Sequence, residues 1–449
     1  MSKRYRVGLA FLIVFFCCVP SVDLTQIGGV HFRLYEALAI LLFVIEFPRY
    51  FFRKRKMQTT LRMVQLESLF LLSCLLSILV AVYPQVAIKQ SLLLIVFFVV
   101  GFSLSESTEN AHDLDVLFAA MALGSFVAYL AGYMQLLFPY GVGRYTLLNP
   151  YYSLQYSGFF FRPQSFFAEG NEFGVFIVFS CSFFLAAYFN SPKVWIKRTA
   201  MLLLLLVLPV FLLNDSRGSI IAFVVIVVLA RVFRKSRAGG SNRKAKSGLL
   251  RLLIIVSLGF AVGVVLLSPL VPTFGDLTPV EWVSRRFAEM ATGGDMTLLA
   301  RLIVMREGLS AFFKHPLFGI GFGNVFSVIS QFGAVPVYSA MGGVISRGNS
   351  TTANFIVDIL AELGAFGFLT FSALCYYMFR LAKDSFSKLR FHESYYFLSG
   401  AFLSLLGVLI NSLSYDAIYT PYFWITVGLI VGAHRVVSEN DNYHRNLGS

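Results

Sequence analysis

The chain has 449 residues, of which 57% are apolar and only 13% charged, with 48 Phe and a formal net charge of +14. So few charged groups cannot cover that much apolar surface in water, so the composition excludes a soluble enzyme and points to a polytopic membrane protein. Most of the positive charge lies in short connecting segments, which fits cytoplasmic anchoring rather than a nucleic-acid partner.

Lys3, Arg4 and Arg6 precede the apolar run 7–19, and no small-x-small cleavage site follows it. The run therefore reads as an uncleaved first helix. Apolar runs of membrane-crossing length predict spans at about 7–20, 34–52, 67–83, 88–104, 115–138, 171–189, 198–213, 217–233, 249–270, 354–379, 395–413 and 418–436. The expected fold class is all-α: about twelve transmembrane helices with one large, partly helical extracytoplasmic loop. Residues 1–270 would hold helices one to nine, 271–352 the loop, 353–437 the last three helices and 438–449 a cytoplasmic tail. The five cysteines, Cys17, Cys18, Cys74, Cys181 and Cys375, fall inside apolar runs, which favours neither a disulfide framework nor a thiolate metal site.

Twelve spans put both termini on one side. That side carries 26 of the 37 Lys and Arg, eight of them in 231–251 alone. The other side carries 11, six of which sit in 271–352. A loop longer than about 60 residues escapes the positive-inside rule. Both termini are thus expected in the cytoplasm and the long loop outside. The sixth and seventh spans are joined by the short SPKVWIK, and the one large loop comes late, so the two similar halves of a twelve-helix transporter are absent.

Three outer-side segments carry polar chemistry. The first is FRPQSFFAEGNEFG at 161–174, with Arg162, Glu169 and Glu172. The second is the turn Asn214-Asp215-Ser216-Arg217-Gly218. The third is the long loop, with Arg285, Arg286, Arg301, Arg306, Lys314 and Arg347, closing in RGNSTTANFIVDILAELGAFG at 347–367. Bland readings stand beside each. Arg162 fits a snorkelling interfacial position, Asp215 fits a helix cap paired with Arg217, and Arg301 and Arg306 fit the solvated face of an amphipathic helix ending at Pro316. Together, several arginines from separate outer loops suit a diphosphate at the membrane surface, because each offers a planar, permanently charged fork for phosphate oxygens.

Gly319-Ile-Gly-Phe-Gly323 follows no strand pattern and opens no evident helix, so it is not read as a nucleotide loop. P-loop, His-Glu-x-x-His and Gly-x-Ser-x-Gly patterns do not occur, which leaves ATP hydrolysis, zinc proteolysis and serine-esterase chemistry without support.

From about residue 162 to 367 these pieces resemble, in matching order, the O-antigen ligase and polymerase superfamily of bacterial glycan-assembly membrane enzymes. FRPQSFFAEGNEFGVFI resembles that family's Arg-x-x-Gly-x-Phe-x-(Glu)-Pro-Asn helix entry, and NDSRGSIIAF its Ser-Arg-Gly turn. ARLIVMREGLSAFFKHPLFGIGFGN resembles its Arg-led amphipathic helix followed by Pro-Leu-x-Gly-x-Gly, and NFIVDILAELGAFG the helix after the large loop. The resemblance implies a glycosyltransferase acting on undecaprenyl-diphosphate-linked glycan donor and acceptor at the outer face of the inner membrane. It implies no nucleotide sugar and no obligatory metal or other cofactor. A chain-length regulator is a further partner of such systems.

By this resemblance Arg217 and Arg301 hold the diphosphate leaving group; as a further expectation Arg162 or Arg285 joins them, and Arg286, Arg306 and Arg347 bind the glycan or surface phosphates. Glu169, and after it Asp215, is the expected base. His315, at a helix-ending Lys-His-Pro, reads as structural. Ligases of the family carry His, then Asn, Ser or Gln, nine residues, and Gly-x-x-Gly, Thr or Tyr. Asn354, Gly364 and Gly367 fit that frame, which adds Asn354 to the expected substrate-binding residues, but the His position is Ala353, whose methyl group accepts no proton. The departure favours the polymerase branch, of O-antigen or exopolysaccharide, over ligation to lipid A-core. A ligase using another acceptor and a transporter or flippase of lipid-linked glycan are the alternatives.

Overall fold

The computed structural model describes residues 3–20, 23–27, 30–52, 58–137, 163–167, 170–214, 216–238, 296–325, 352, 354–388, 393–415 and 419–447. Twelve helices fall among them: α1 (Lys3–Cys18), α2 (Leu34–Phe52), α3 (Gln58–Ile78), α4 (Pro84–Ser107), α5 (Ala111–Leu137), α6 (Gly170–Asn190), α7 (Val194–Leu213), α8 (Arg217–Ala238), α9 (Met296–Lys314), α10 (Phe355–Lys388), α11 (Tyr395–Asn411) and α12 (Pro421–Leu447). Eleven of them coincide with predicted spans; α9 is the amphipathic helix of the long loop, and the predicted span 249–270 lies outside the described residues. Six described helices, α3 to α7 and α10, are long and apolar enough to cross a membrane by length and composition.

Among the described residues, one small departure from an all-helical chain joins α1 to α2. Strands β1 (Asp23–Ile27) and β2 (Val30–Arg33) pair antiparallel. α3 also begins earlier than its apolar run, at Gln58. Its polar first turns are used in packing: Thr60 is buried and donates to Glu106 Oε1 at 3.1 Å, and the Thr59 carbonyl accepts from the Tyr377 hydroxyl at 3.0 Å.

The described helices other than α9 share one apolar core in which α6 is the central strut, packed on α7, α8 and α11 and buried nearly all round, while α9 contributes Ala311 to a small second cluster with Ile320, Val325 and Ala361. α12 lies along α4, where a Cβ on Gly428 would stand 2.2 Å from the Gly101 carbonyl oxygen, so the two backbones touch as small residues permit between membrane helices. Leu72, Leu202, Val224 and Leu369 face outward as lipid-facing side chains would.

α10 is broken at Gly364, with φ 66° and ψ −165°, a conformation open essentially only to glycine. The backbone groups freed by the break do not go unpaired. Ala361 and Glu362 carbonyls accept from the N–H groups of Ile320 and Gly321 at 2.9 and 3.0 Å, and Ala365 N–H donates to the Pro316 carbonyl at 2.8 Å. The segment after α9 is thereby fastened to α10. On its other side it is fastened to the α3–α4 turn, through Val82 N–H to the Ile320 carbonyl and Tyr83 N–H to Asn324 Oδ1 at 2.7 Å. The glycine-rich motif is thus a backbone clasp between α10 and the α3–α4 turn.

At the opposite end of the bundle several charges are paired. Arg435, fully buried, meets Glu106 at 2.9 Å, Arg6 meets Glu109 at 3.0 Å, and Lys193 lies between Asp115 and Glu393. Partial burial pulls the Lys193 pKa down, but its bonds to Asp115 and Glu393 outweigh burial and leave the pKa raised.

Candidate functional site

Three helices, α6, α8 and α10, begin on one face of the bundle, and the contacts that bring their first turns together are specific. The Asn214 side chain, fully buried, donates to the carbonyls of Pro163 and Gly170 at 2.7 and 2.9 Å, binding the turn before α8 to the entry of α6. Gln135 of α5 grips the same entry, accepting from Gln164 and Ser165 N–H at 3.0 and 2.6 Å. Gly174 leaves so little room that a Cβ there would stand 2.4 Å from Ser219 Oγ and 2.8 Å from Ser216 Cβ. The C-terminal end of α11 closes the group. Asn411 donates to Ser219 Oγ at 2.8 Å, and the Ser412 carbonyl accepts the Phe355 N–H at 3.0 Å.

The first turn of a helix presents unpaired N–H groups and the positive end of the macrodipole. Arg217 is the first residue of α8 and is half-buried, so a permanent positive charge sits at that mouth. Arrangements of this kind favour anions, phosphates above all.

The long loop reaches this face through α9. A Cβ on Gly308 would lie 2.7 Å from both Thr352 Cγ2 and Val357 Cγ1, so α9 crosses the start of α10 in close contact. The position of Arg301 is seven residues before Gly308, on the same helical face and about 10 Å further along the axis at 1.5 Å per residue. Arg306 is exposed, as is His315 just beyond the helix end.

Asn354 has a local task. Its Oδ1 accepts from Ile356 and Val357 N–H at 3.1 and 3.4 Å, which makes it the N-cap of α10, and its amide donates to the Leu413 carbonyl at 3.4 Å. Asp358 supports it by accepting the Thr352 N–H at 2.8 Å. Glu172 lies 4.0 Å from Arg33 Nη1. Of the other residues expected here, Arg162, Glu169, Asp215, Arg285, Arg286, Arg347 and Ala353 lie outside the described residues.

Two groups escaped the sequence reading. Glu362, buried at the break in α10, accepts the Val325 N–H at 3.2 Å and the Tyr419 hydroxyl, while the Tyr419 ring stacks on Phe322 at 5.2 Å. The signal was an acidic residue in the apolar run Ile359-Leu-Ala-Glu-Leu, where a charge is costly unless satisfied. Arg33 is the second, carried in by the hairpin. Its signal was the glycine pair in DLTQIGGVHFR, a two-residue turn between alternating segments.

No group of three or more His, Cys, Asp or Glu able to hold a metal ion occurs among the described residues.

Residues 199–372 match the family model described as O-Antigen ligase. That stretch takes in α7, the Arg217 turn, α9 and the broken first part of α10. The match supports the O-antigen ligase and polymerase superfamily, a group of multi-pass membrane proteins of polysaccharide biosynthesis. Comparison with curated proteins gave no match.

Proposed function

We propose that this chain, with its O-antigen-ligase-type domain, is an integral-membrane glycosyltransferase that polymerises undecaprenyl-diphosphate-linked repeat units. The observation that carries the reading is the convergence of the α6, α8 and α10 starts around Arg217, with α9 crossing the same face. That face would be extracytoplasmic in the inner membrane, in accord with the distribution of Lys and Arg along the chain.

In the reaction, a sugar hydroxyl of one lipid-linked unit attacks the anomeric carbon of the growing glycan on another. The carbon–oxygen bond to the diphosphate breaks as the new glycosidic bond forms, and undecaprenyl diphosphate leaves with the electron pair. The hydroxyl proton passes to a carboxylate, Glu169 first and Asp215 second. Arg217 and Arg301, helped by Arg162 or Arg285, hold the leaving diphosphate, so their charge acts where negative charge develops. Arg306, Arg286 and Arg347 contact glycan or further phosphates, and Asn354 caps the start of α10 and joins them in binding substrate.

The test is polymerisation by the full chain in membranes, supplied with purified lipid-linked repeat units. A ladder of products is expected from the wild-type chain and only unextended substrate from an Arg217→Ala, Arg301→Ala double variant. Full polymerisation by the double variant removes the diphosphate assignment. The family match also fits transfer to a different acceptor. Product length separates the two, since only a polymerase makes a ladder from a single lipid-linked substrate.

A further inference from the structure

α9 packs on α10 through one face and carries a second apolar face on its other side. On the packed side Gly308 meets Thr352 and Val357, and Ala311 lies in the small cluster with Ile320, Val325 and Ala361. Leu302, Leu309 and Phe313 follow one another at spacings of seven and four, which sets them within about 40° of each other at 3.6 residues per turn. Ala311, two residues after Leu309, points about 200° away from it. Leu302, Leu309 and Phe313 are all exposed, Phe313 at 76%, and Leu317 and Phe318 extend the same apolar surface past the helix end. A helix between a protein core and water turns its polar side chains outward. This one turns Leu and Phe outward, with Gly and Ala inward.

Its neighbours show what that face meets. Val82 N–H donates to the Ile320 carbonyl, and a Cβ on Gly321 would stand 2.4 Å from Ala81 Cβ, so the segment after α9 is seated on the α3–α4 turn. That turn is apolar and exposed too, with Leu79 at 81% continuing the outward row of Leu72 and Leu75 on α3. Phe318 meets Phe366 of α10, ring centroids 6.2 Å apart, and Leu369 and Tyr376 carry the exposed surface further along that helix. The outward face of α9 is therefore continuous with the outward flanks of α3 and α10, two helices long and apolar enough to cross a membrane.

We infer that α9 is an interfacial helix, docked by this face on the phospholipids of the leaflet around this end of the bundle. Leu309, Phe313 and Leu317 enter the acyl region. Arg306, exposed on the same side of the helix, sends its guanidinium along a long apolar stem to the headgroup phosphates. Buried apolar area and attraction between cations and lipid phosphates are the two contributions that hold such helices in a membrane surface. The inference goes beyond the proposed reaction and holds whichever glycan transfer the chain performs.

The test uses full-length protein with Cys375→Ala, in nanodiscs of phosphatidylethanolamine and phosphatidylglycerol. The other four native cysteines are buried, so a spin label attaches at the single cysteine introduced by Leu309→Cys, Phe313→Cys, Leu317→Cys or Arg306→Cys. Collision of each label with oxygen, which concentrates in the bilayer, is compared with collision with a water-soluble nickel chelate. Leu369→Cys gives the reference for a lipid-facing position. The ratio of oxygen to nickel accessibility at Leu309→Cys, Phe313→Cys and Leu317→Cys is expected to match that reference and to exceed the ratio at Arg306→Cys severalfold.

Nickel collisions at least as frequent as oxygen collisions at these three positions put the face in water and overturn the inference. Low collision with both reagents means that protein covers the face, which overturns it equally. A ratio at Arg306→Cys as high as at Leu309→Cys removes the headgroup placement of Arg306. If Phe313→Cys does not fold, Leu309→Cys and Leu317→Cys report on the same face and decide.

Discussion

Gly218 and Ser414 meet where α8 begins: a Cβ on Gly218 would stand 1.6 Å from Ser414 Oγ and 2.8 Å from Ser414 Cβ. The residue after Arg217 is thus held against the turn that follows α11. Gly218→Ala must displace that turn or the start of α8, an overpacking that costs about 1–3 kcal/mol. Because Arg217 is the neighbouring residue, the displacement moves a charge that has to be placed to within an ångström. Polymerisation by Gly218→Ala is expected to fall at least tenfold. Ser414→Gly in the same chain removes the obstructing atoms and should restore most of it. Failure of this second substitution to rescue would show that the contact does not set the position of Arg217.

Gly364 supports a second prediction, about stability rather than chemistry. Its φ of 66° and ψ of −165° exclude other residues, and a Cβ would stand 2.4 Å from the Leu317 carbonyl oxygen. Gly364→Ala cannot be accommodated by turning a side chain, since the obstacle is backbone. The break in α10 and the clasp formed by 316–321 should come apart together, with a loss above about 3 kcal/mol. Thermal unfolding in detergent should show a markedly lower midpoint, and limited proteolysis should cut between α9 and α10. A midpoint equal to wild type would mean that the broken helix is not the stable form.

These two glycines also mark how far the sequence could be read. Helix positions were legible because a membrane leaves apolar runs as the main signal, and α2, α6 and α10 begin within a residue of the apolar runs that predicted them. The end of α9 at Lys314 was legible too, since Pro316 cannot continue a helix. The break at Gly364 was not, because the apolar pattern runs straight through it. Its reason lies in a partner segment over 40 residues earlier. Arginines as a class pointed to a diphosphate, but which ones share a face depends on contacts such as Asn214 with Gly170. No local pattern encodes those. Arg33 was hidden by a weaker cause: two short strands beside long apolar runs give little signal.

The third prediction concerns the end of the bundle away from the site. Arg435 is 1% exposed and its Nη1 pairs with Glu106 at 2.9 Å, while Nη2 donates to the carbonyls of Glu106 and Thr108 at 2.9 and 2.6 Å and Nε to that of Thr108 at 3.2 Å. Removing one partner leaves a buried charge uncompensated, at about 3–5 kcal/mol. Arg435→Met alone should therefore lower the unfolding midpoint more than the Arg435→Met, Glu106→Gln pair. A pair that is less stable than the single variant would show that other partners of Glu106, such as the Thr60 hydroxyl, hold its carboxylate when Arg435 is gone.

Asn354 allows a local role to be told apart from a substrate contact. Its side-chain oxygen caps α10 through the N–H groups of Ile356 and Val357, and its amide nitrogen reaches the Leu413 carbonyl at 3.4 Å. Aspartate offers the same capping oxygen but cannot donate, and its charge repels a phosphate. Alanine offers neither. If the cap is what matters, Asn354→Asp keeps wild-type stability and polymerisation, because aspartate caps as well as asparagine and its charge suits a helix start. Asn354→Ala then costs about 1 kcal/mol and weakens activity only through α10. If the amide touches the diphosphate, the order reverses for activity: Asn354→Asp is the more damaged of the two, through a raised KM, while its melting temperature stays at the wild-type value. Measuring stability and KM on both variants decides the matter, and the capping geometry predicts the first outcome.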